Sequence, residues 1–266
     1  MKSSYLPADL FAGETALVTG AGSGINRGIA RMLAAHGASV VMVGRRQEKL
    51  DETAALITEV GGQAAGFSAD VRDAEALAQA AASGAEKFGS YSMVVAGAAG
   101  NFLAPAAELS SNGFSAVVDI DLKGTFHTFK ACFPHFAEDN VRALAITAPQ
   151  SQMPMPFQSH VCSAKTAIDM LVKTLAMEWG ARGVRLNALS PGYVEGTVGG
   201  DLLAAGKADA ITGRLPIQRF TNVEEMAQMA CVLLSPLTAY MTGQIVALDG
   251  GVNLLGGAAM MEIAGG

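Results

Sequence analysis

A glycine-rich turn near the N-terminus has the spacing of a phosphate-binding loop. Apolar residues 16–18 lead into the run 19–24, after which apolar residues recur at helical spacing. Such a turn needs glycine, because the backbone must approach a pyrophosphate closely while the helix N-terminus offers unpaired N–H groups. A glycine cluster alone is also typical of an ordinary tight turn, but the strand before it and the helix after it favour a dinucleotide site. The residues predicted to hold the dinucleotide here are Gly20, Gly22, Ser23, Gly24 and Ile25.

Two arginines stand where the ribose of the dinucleotide would be recognised. A second predicted strand, residues 39–43, is followed by Arg45 and Arg46, about twenty residues after Gly24. A carboxylate at this place would bind the ribose 2′-hydroxyl of NAD, whereas a guanidinium can take a 2′-phosphate through charge-assisted hydrogen bonds. Arg45 therefore favours NADPH. The alternative is a solvated charge pair that opens the following helix.

Predicted strands and helices alternate along the chain. Further strands are predicted at 64–69, 93–95, 144–147, 184–189 and 245–248, and helices at 77–88, at 111–136 with a bend near Gly124, and around Lys165 as far as Trp179. This order predicts an α/β fold, a Rossmann-type doubly wound parallel sheet of about seven strands with helices on both faces. Residues 1–266 are predicted to form a single domain, in which the irregular stretch at about 191–221 is a substrate-lid insertion.

Composition indicates an enzyme with a large core. Half of the 266 residues are hydrophobic, which is enough for a large core. The net charge is −6 and there is no basic cluster, so the sequence does not indicate nucleic-acid binding. The three cysteines have no paired spacing, which argues against disulfides or a metal site and fits a reducing compartment. We expect a cytoplasmic protein with no membrane partner, because we find no signal segment, no membrane-length apolar run and no peroxisomal address at residues 264–266.

Over nearly its whole length the chain resembles the short-chain dehydrogenase/reductase family. Within that family it is similar in particular to the 2,4-dienoyl-CoA reductases of peroxisomal type, in the segments 98–103, 119–121, 163–165 and 178–180. The resemblance implies further cofactor contacts from Arg45, Asp70, Val71, Ala98, Lys165, Pro191, Gly192 and Thr197. The family marks are Thr19 with Gly20, Gly22 and Gly24, then Asp70 with Val71, the helix of Lys165, Asn187, residues 190–192, Thr197, and residues 249–251.

The proton relay of the family is largely missing. Its asparagine, serine, tyrosine and lysine correspond here to Asp121, Ala148, Val161 and Lys165, so only the lysine remains. An ordinary carbonyl reductase would be disabled by this loss, because its alkoxide needs a neighbouring donor. A conjugated thioester is different, since hydride addition sends the charge to the thioester oxygen and a held water can protonate carbon.

The resemblance implies three catalytic residues. Lys165 would hold the nicotinamide ribose and place its charge near the dienolate, Asp121 would orient the proton-donating water, and Asp249 would reach the same water. The alternative for Asp121 is a solvated helix carboxylate like Asp119, and the alternative for Asp249 is a structural turn. His160 stays outside the catalytic set, because one residue along a helix rotates a side chain by about 100° from the direction of Val161.

The sequence departs from the family pattern at two places. Asn26 replaces the third glycine of the loop, although Gly28 can serve the helix packing instead. Ala96 with Gly97 replaces two asparagines whose hydrogen bonds support the pocket, which predicts weaker cofactor binding. On the substrate side, residues 153–157 are predicted to wall an apolar acyl pocket, although core filling explains their methionines equally well.

The expected activity is NADPH-dependent reduction of a conjugated acyl-CoA thioester, namely a 2,4-dienoyl-CoA to an enoyl-CoA in unsaturated fatty-acid oxidation. A trans-2-enoyl-CoA reductase or another short-chain oxidoreductase is the nearest alternative, and a non-catalytic NADP-binding scaffold or sensor is the alternative of another class. We also expect a homotetramer, because the Lys165 helix is apolar around much of its circumference and relatives assemble through it.

Overall fold

Residues 5–197, 200 and 206–255 are described by the computed structural model. Within them a seven-stranded parallel sheet is built from β1 (Thr15–Thr19), β2 (Ser39–Gly44), β3 (Gln63–Ser68), β4 (Met93–Ala96), β5 (Val141–Ile146), β6 (Val184–Pro191) and β7 (Ile245–Leu248). The order across the sheet is β3-β2-β1-β4-β5-β6-β7. The predicted α/β fold class is therefore confirmed.

Helices connect the strands on both faces. They are α1 (Gly24–Ala35), α2 (Gln47–Thr58), α3 (Ala74–Phe88), α4 (Ser111–Val118), α5 (Gly124–Cys132), α6 (Ser159–Trp179), α7 (Ala208–Thr212) and α8 (Val223–Leu234). Local sequence sets where several begin: Asp73 caps α3 by accepting from two backbone N–H groups, and Asn222 with Glu225 forms a capping box at α8. Across the described part of the chain, no helix has the length and apolar character needed to cross a membrane.

The alternation of side chains along each strand divides the core into two layers. Ala16 and Val18 of β1 pack with α1, α2 and α8, whereas Leu17 between them faces the layer that contains α3, α5 and α6. Both faces of the sheet are thus covered, which is why the central strands β1 and β4 are buried along their whole length.

The chain reverses its direction of travel across the sheet at β1. The strands β2 and β3 lie on one side of β1, and β4 lies on the other. In open parallel sheets this reversal leaves a crevice beyond the carboxyl ends of the two adjacent strands, where ligands bind. Gly20 and Gly97 follow β1 and β4 at this point.

The structure corrects two sequence predictions. The helix predicted over 111–136 is interrupted by a π-helical turn, Asp119–Lys123, directly before the predicted bend at Gly124. Hydrophobic periodicity does not reveal one inserted residue.

The stretch predicted as irregular at 191–221 contains the helix α7, and Val194 pairs with Thr221 across it. Residues 198, 199 and 201–205 of this predicted lid lie outside the described residues. The lid and the single-domain assignment of residues 1–266 stay predictions.

Candidate active site

The carboxyl ends of the central strands open into one cleft. Its volume is about 440 Å³, in the range typical of small-molecule sites. Every residue predicted to bind the cofactor lines this cleft, so the fold brings together positions that are far apart in sequence. They are Gly20, Gly22, Ser23, Gly24, Ile25, Arg45, Asp70, Val71, Ala98, Lys165, Pro191, Gly192 and Thr197.

The glycine turn at the base of the cleft is shaped for a close ligand. Gly20 has a positive φ of 74°, and a Cβ there would come within 3.1 Å of the Ala98 Cα atom. Helix α1 begins at Gly24, and its N-cap Ser23 makes no side-chain cap hydrogen bond. The first N–H groups of α1 are therefore available to a pyrophosphate, which fits a dinucleotide.

Asn26 and Gly97 occupy a common space. Asn26 Nδ2 donates a 2.7 Å hydrogen bond to the Gly97 carbonyl oxygen inside the protein. A Cβ built on Gly97 would lie 2.1 Å from Asn26 Oδ1, so the glycine makes room for the amide. Asn26 and Gly97, the two departures noted in the sequence, are therefore coupled in space, and the amide at this place comes from α1. This hydrogen bond offsets part of the predicted loss of pocket support.

Basic side chains surround the end of the cleft beyond β2. Arg45 and Arg46 are exposed there, and Lys49 of α2 joins them along the same wall. The neighbouring acid Asp70 accepts a forked hydrogen bond from Arg72, which lowers the pKa of the Asp70 carboxyl. Because Arg72 already balances Asp70, the charge of Arg45 remains available to an anion. Lys49 was missed by the sequence interpretation, although its place three residues after Arg46 is a visible signal.

An ion pair between Lys165 and Asp121 forms the charged centre of the cleft. Lys165 Nζ lies 2.9 Å from Asp121 Oδ2, and it also donates to the Ile146 carbonyl oxygen at 3.3 Å. Asp121 Oδ1 accepts a 2.7 Å hydrogen bond from the Gly100 N–H group. Asp121 is 0% exposed and Lys165 is 5% exposed. Each buried charge thus has a partner, as burial requires.

The π-helical turn directs Asp121 inward. Asp119, two residues earlier on the same turn, faces solvent instead and pairs with Lys123 at 2.6 Å. The solvated-carboxylate interpretation of Asp121 is therefore wrong. Lys165 reaches the pair from the second turn of α6.

Two apolar residues line the cleft beside this ion pair. Val161 lies one helical turn before Lys165, and Ala148 follows β5. Neither side chain can donate or accept a proton, so the chemistry must use Lys165, Asp121, solvent or another polar group.

Comparison with known proteins identifies the family. Residues 20–253 match a family model described as enoyl-(acyl carrier protein) reductase. The peroxisomal 2,4-dienoyl-CoA reductase of Saccharomyces cerevisiae, named as (3E)-enoyl-CoA-producing, is 38% identical over 260 residues, which cover 96% of this chain and 89% of that protein. The chain belongs to the short-chain dehydrogenase/reductase family. It is thus an enzyme of a nicotinamide-dependent oxidoreductase family.

Two further relatives agree with this assignment. The peroxisomal 2,4-dienoyl-CoA reductase of Danio rerio is 36% identical over 254 residues, with 94% of this chain and 84% of that protein covered. The solved structure of a citronellol catabolism dehydrogenase from Pseudomonas aeruginosa superposes with a TM-score of 0.83 at 32% identity, covering 94% of this chain and 99% of that chain.

The expected cytoplasmic location is wrong. The relatives from yeast and zebrafish are named as peroxisomal enzymes. The cytoplasmic location was inferred from the absence of recognisable targeting signals. Such signals are short segments read by receptors, and they leave no mark on the fold or on the composition.

In this short-chain reductase, Asp249 and His160 are not among the residues that line the cleft, although Asp249 lies against Gly192 and His160 precedes Val161. Both carboxylate oxygens of Asp249 accept backbone N–H groups, from Gly251 and Asn253 at 2.9 Å each. This is the structural turn weighed above, and a catalytic role for Asp249 stays a prediction. His160 is fully buried, its ring packs on Phe102 with centroids 4.4 Å apart, and burial lowers its pKa.

A group of amides on the cleft wall was missed by the sequence interpretation. Asn101 and Gln150 line the cleft, and Gln158 lies buried between them. Neutral amides carry no charge or metal-ligand spacing, so nothing in the sequence marks them as a group.

The shared space of Asn26 and Gly97 predicts strong coupling. Gly97→Ala should lower the free energy of unfolding by about 1–3 kcal/mol, because its Cβ overlaps the Asn26 amide. Adding Asn26→Gly should restore part of that loss. Denaturant unfolding of both single variants and the double variant measures the coupling. Gly180→Ala is the control, since a Cβ there meets nothing within 4 Å. Additive effects of the two substitutions would contradict the shared space.

Proposed function

We propose that this protein reduces a 2,4-dienoyl-CoA to an enoyl-CoA with NADPH, in the degradation of unsaturated fatty acids. The observation that carries the proposal is the buried pair of Lys165 and Asp121 beside the apolar Val161 and Ala148 in the cofactor cleft. Relatives named as 2,4-dienoyl-CoA reductases support the same activity.

The composition of the cleft favours a conjugated substrate over a simple ketone. When bound, NADPH supplies a hydride to the far end of the diene, and the electron pair moves through both double bonds to the thioester oxygen. A ketone would instead yield an alkoxide that needs an adjacent proton donor. Val161 and Ala148 cannot provide one, whereas the dienolate persists until water protonates carbon.

Lys165 and Asp121 have different roles in the proposed reaction. The ammonium group of Lys165 binds the nicotinamide ribose and adds positive charge to the region of the dienolate. Asp121 accepts a hydrogen bond from a water and so aims the other hydrogen of that water at the acyl carbon, and the hydroxide that remains takes a proton from bulk solvent. Protonation next to the thioester carbonyl leaves a 3-enoyl product, which is the product type in the names of the relatives.

Apolar side chains provide a wall for the acyl chain. Met155 lines the cleft, and Met153 packs with Tyr193, Leu215 and Val252 in a small apolar cluster nearby. Methionine adapts its shape easily, which suits acyl chains of different length.

The basic corner of the cleft supports NADPH as the reductant. Arg45→Ala should raise the KM for NADPH by about 10-fold or more and leave the KM for NADH nearly unchanged, because only the 2′-phosphate is lost as a partner. Steady-state kinetics with both nucleotides measure this. Arg182→Ala removes the same charge on a turn that precedes β6, at the amino ends of the strands and away from the cleft, and should change neither KM. Equal loss for the two nucleotides would contradict 2′-phosphate recognition.

The catalytic proposal predicts a large effect at Asp121. Asp121→Asn should lower kcat for 2,4-decadienoyl-CoA by about 100-fold, because the amide no longer orients and activates the water. Asp119→Asn is the matched control two residues away and should leave kcat unchanged. The assay follows NADPH oxidation with 2,4-decadienoyl-CoA, 2-decenoyl-CoA, simple ketones and no substrate.

Each result of this assay supports or excludes a different function. Full activity of Asp121→Asn, or faster turnover of ketones than of 2,4-decadienoyl-CoA, would contradict the proposed mechanism. Faster turnover of the 2-enoyl thioester would favour an enoyl-CoA reductase. Tight NADPH binding without turnover of any substrate would favour the scaffold function.

We also propose a homotetramer that is assembled through α5 and α6. Phe126 of α5 and Met170 and Met177 of α6 expose large apolar side chains, Met177 to 85%. In the single chain α6 is therefore not covered on all sides, and a second copy would bury this face.

The tetramer predicts an effect of charge on assembly. Met170→Glu should shift the sedimentation coefficient to that of a smaller species, because a carboxylate would be buried in the interface. Val60→Glu, at a residue of similar exposure after α2, should leave the tetramer intact. A wild-type monomer, or an intact Met170→Glu tetramer, would refute the proposed interface.

A further inference from the structure

A second cavity lies between α8, β7 and the segment that follows α7. Its volume is about 320 Å³, and its apolar lining comes from Leu215, Ile217, Met229, Val232 and Leu248. Met229 and Val232 stand three residues apart on α8 and therefore share one face of that helix. We call this space the distal cavity. Among the described residues, none of these five side chains lines the catalytic cleft, so the proposed reaction leaves the cavity without a role.

The wall between the catalytic cleft and the distal cavity is thin. Tyr193 borders both spaces, and its ring stacks on Phe220 with the two ring centroids 5.2 Å apart. Gly192 lines the cleft and Asp249 lines the distal cavity. A Cβ built on Gly192 would come within 2.7 Å of the Asp249 Cα atom, so the two backbones are in direct contact. The two spaces therefore lie back to back, with Tyr193 in the wall between them.

Both sides of this wall are apolar. Val252 lines the cleft, Leu215 lines the distal cavity, and both pack with Tyr193 in one buried cluster. Met155, which provides part of the wall for the acyl chain in the cleft, belongs to the same cluster. An apolar path therefore leads from the acyl wall of the cleft, past Tyr193, to the distal cavity.

The charged groups at the distal cavity already have partners. Arg219 and Glu225 pair at 2.6 Å, and this contact lowers the pKa of the Glu225 carboxyl to about 2. Both carboxylate oxygens of Asp249 accept backbone N–H groups. A charged ligand would have to break these contacts, whereas an alkyl chain needs only the apolar lining.

We propose that the distal cavity receives the far end of a long fatty-acyl chain, and that Tyr193 controls the passage of the chain from the cleft. The cleft has a volume of about 440 Å³, which suits one drug-sized ligand. The dinucleotide and the acyl thioester must share this space, so a long alkyl tail needs room elsewhere. This inference rests on the proposed function, because it requires an acyl thioester in the cleft.

A kinetic test fills the distal cavity from α8. Met229→Trp should lower kcat/KM for 2,4-octadecadienoyl-CoA by about 10-fold or more, because several methylene groups lose their apolar contacts. The same variant should leave kcat/KM for 2,4-hexadienoyl-CoA within about twofold of wild type, since this chain ends one carbon beyond the diene. Val60→Trp, at an exposed residue after α2, is the control and should change neither value. Fluorescence titration with NADPH checks that each variant folds.

A protection test reports directly whether the acyl chain enters the distal cavity. Met229→Cys places a thiol there, and N-ethylmaleimide alkylates this thiol while the space is open. With NADP⁺ bound, 2,4-octadecadienoyl-CoA should slow the alkylation by about 10-fold, and 2,4-hexadienoyl-CoA should not change its rate. Wild type gives the background reaction of the three native cysteines. Val60→Cys should react at the same rate with either thioester.

The outcomes separate this inference from the proposed function. Equal loss for the long and the short thioester in Met229→Trp would overturn the inference, as would alkylation of Met229→Cys that the long thioester does not slow. If Met229→Trp does not bind NADPH, the alkylation result decides alone. Slow alkylation without any thioester, together with a smaller sedimentation coefficient of Met229→Trp, would show that a second copy covers the cavity instead. Failure of wild type to reduce either dienoyl thioester would overturn the proposed function, and this inference with it.

Discussion

The burial of one ammonium group against one carboxylate constrains the whole site. Each ion loses several kcal/mol of hydration when it leaves water, and only close mutual contact restores it. Lys165 and Asp121 meet this condition through four elements: helix α6, the π-helical turn before α5, the end of β5 that supplies the Ile146 carbonyl, and the Gly100 N–H group. Displacement of any one of them would leave a buried charge without its partner, which is costly. The ion pair therefore also holds the loops around the cleft in place.

Mutual pairing also limits what the two charges can do. A lysine paired with an aspartate 2.9 Å away projects a weaker field into the cleft than an unpaired lysine would. Stabilisation of a growing anion therefore also draws on groups with direction and no net charge, such as amide N–H groups and helix N-termini. The first turn of α1 is such a group, because its N–H groups are available to a pyrophosphate.

Local signals in the sequence predicted cofactor-binding residues that the fold brings together in one cleft. The glycine turn after β1 and Arg45 after β2 are short-range patterns whose spacing follows from strand–turn–helix geometry. The π-helical turn at Asp119–Lys123 was not predicted, because hydrophobic periodicity averages over an inserted residue. The group of amides on the cleft wall was also missed. Gln158 lies 57 residues from its hydrogen-bond partner Asn101, and only the fold brings the two together. The role of Asp249 is open because a carboxylate in a turn looks the same in sequence as one facing a ligand.

The shared space of Asn26 and Gly97 restricts which pairs of residues these two positions can hold. A Cβ at residue 97 would meet Asn26 Oδ1 at 2.1 Å, so a side chain at 97 and an amide at 26 compete for one volume. Glycine at both positions would avoid the overlap but would leave the Gly97 carbonyl oxygen without the hydrogen bond from Asn26. The two positions therefore act as one unit, and a residue moved into one of them from another protein calls for a matching change at the other.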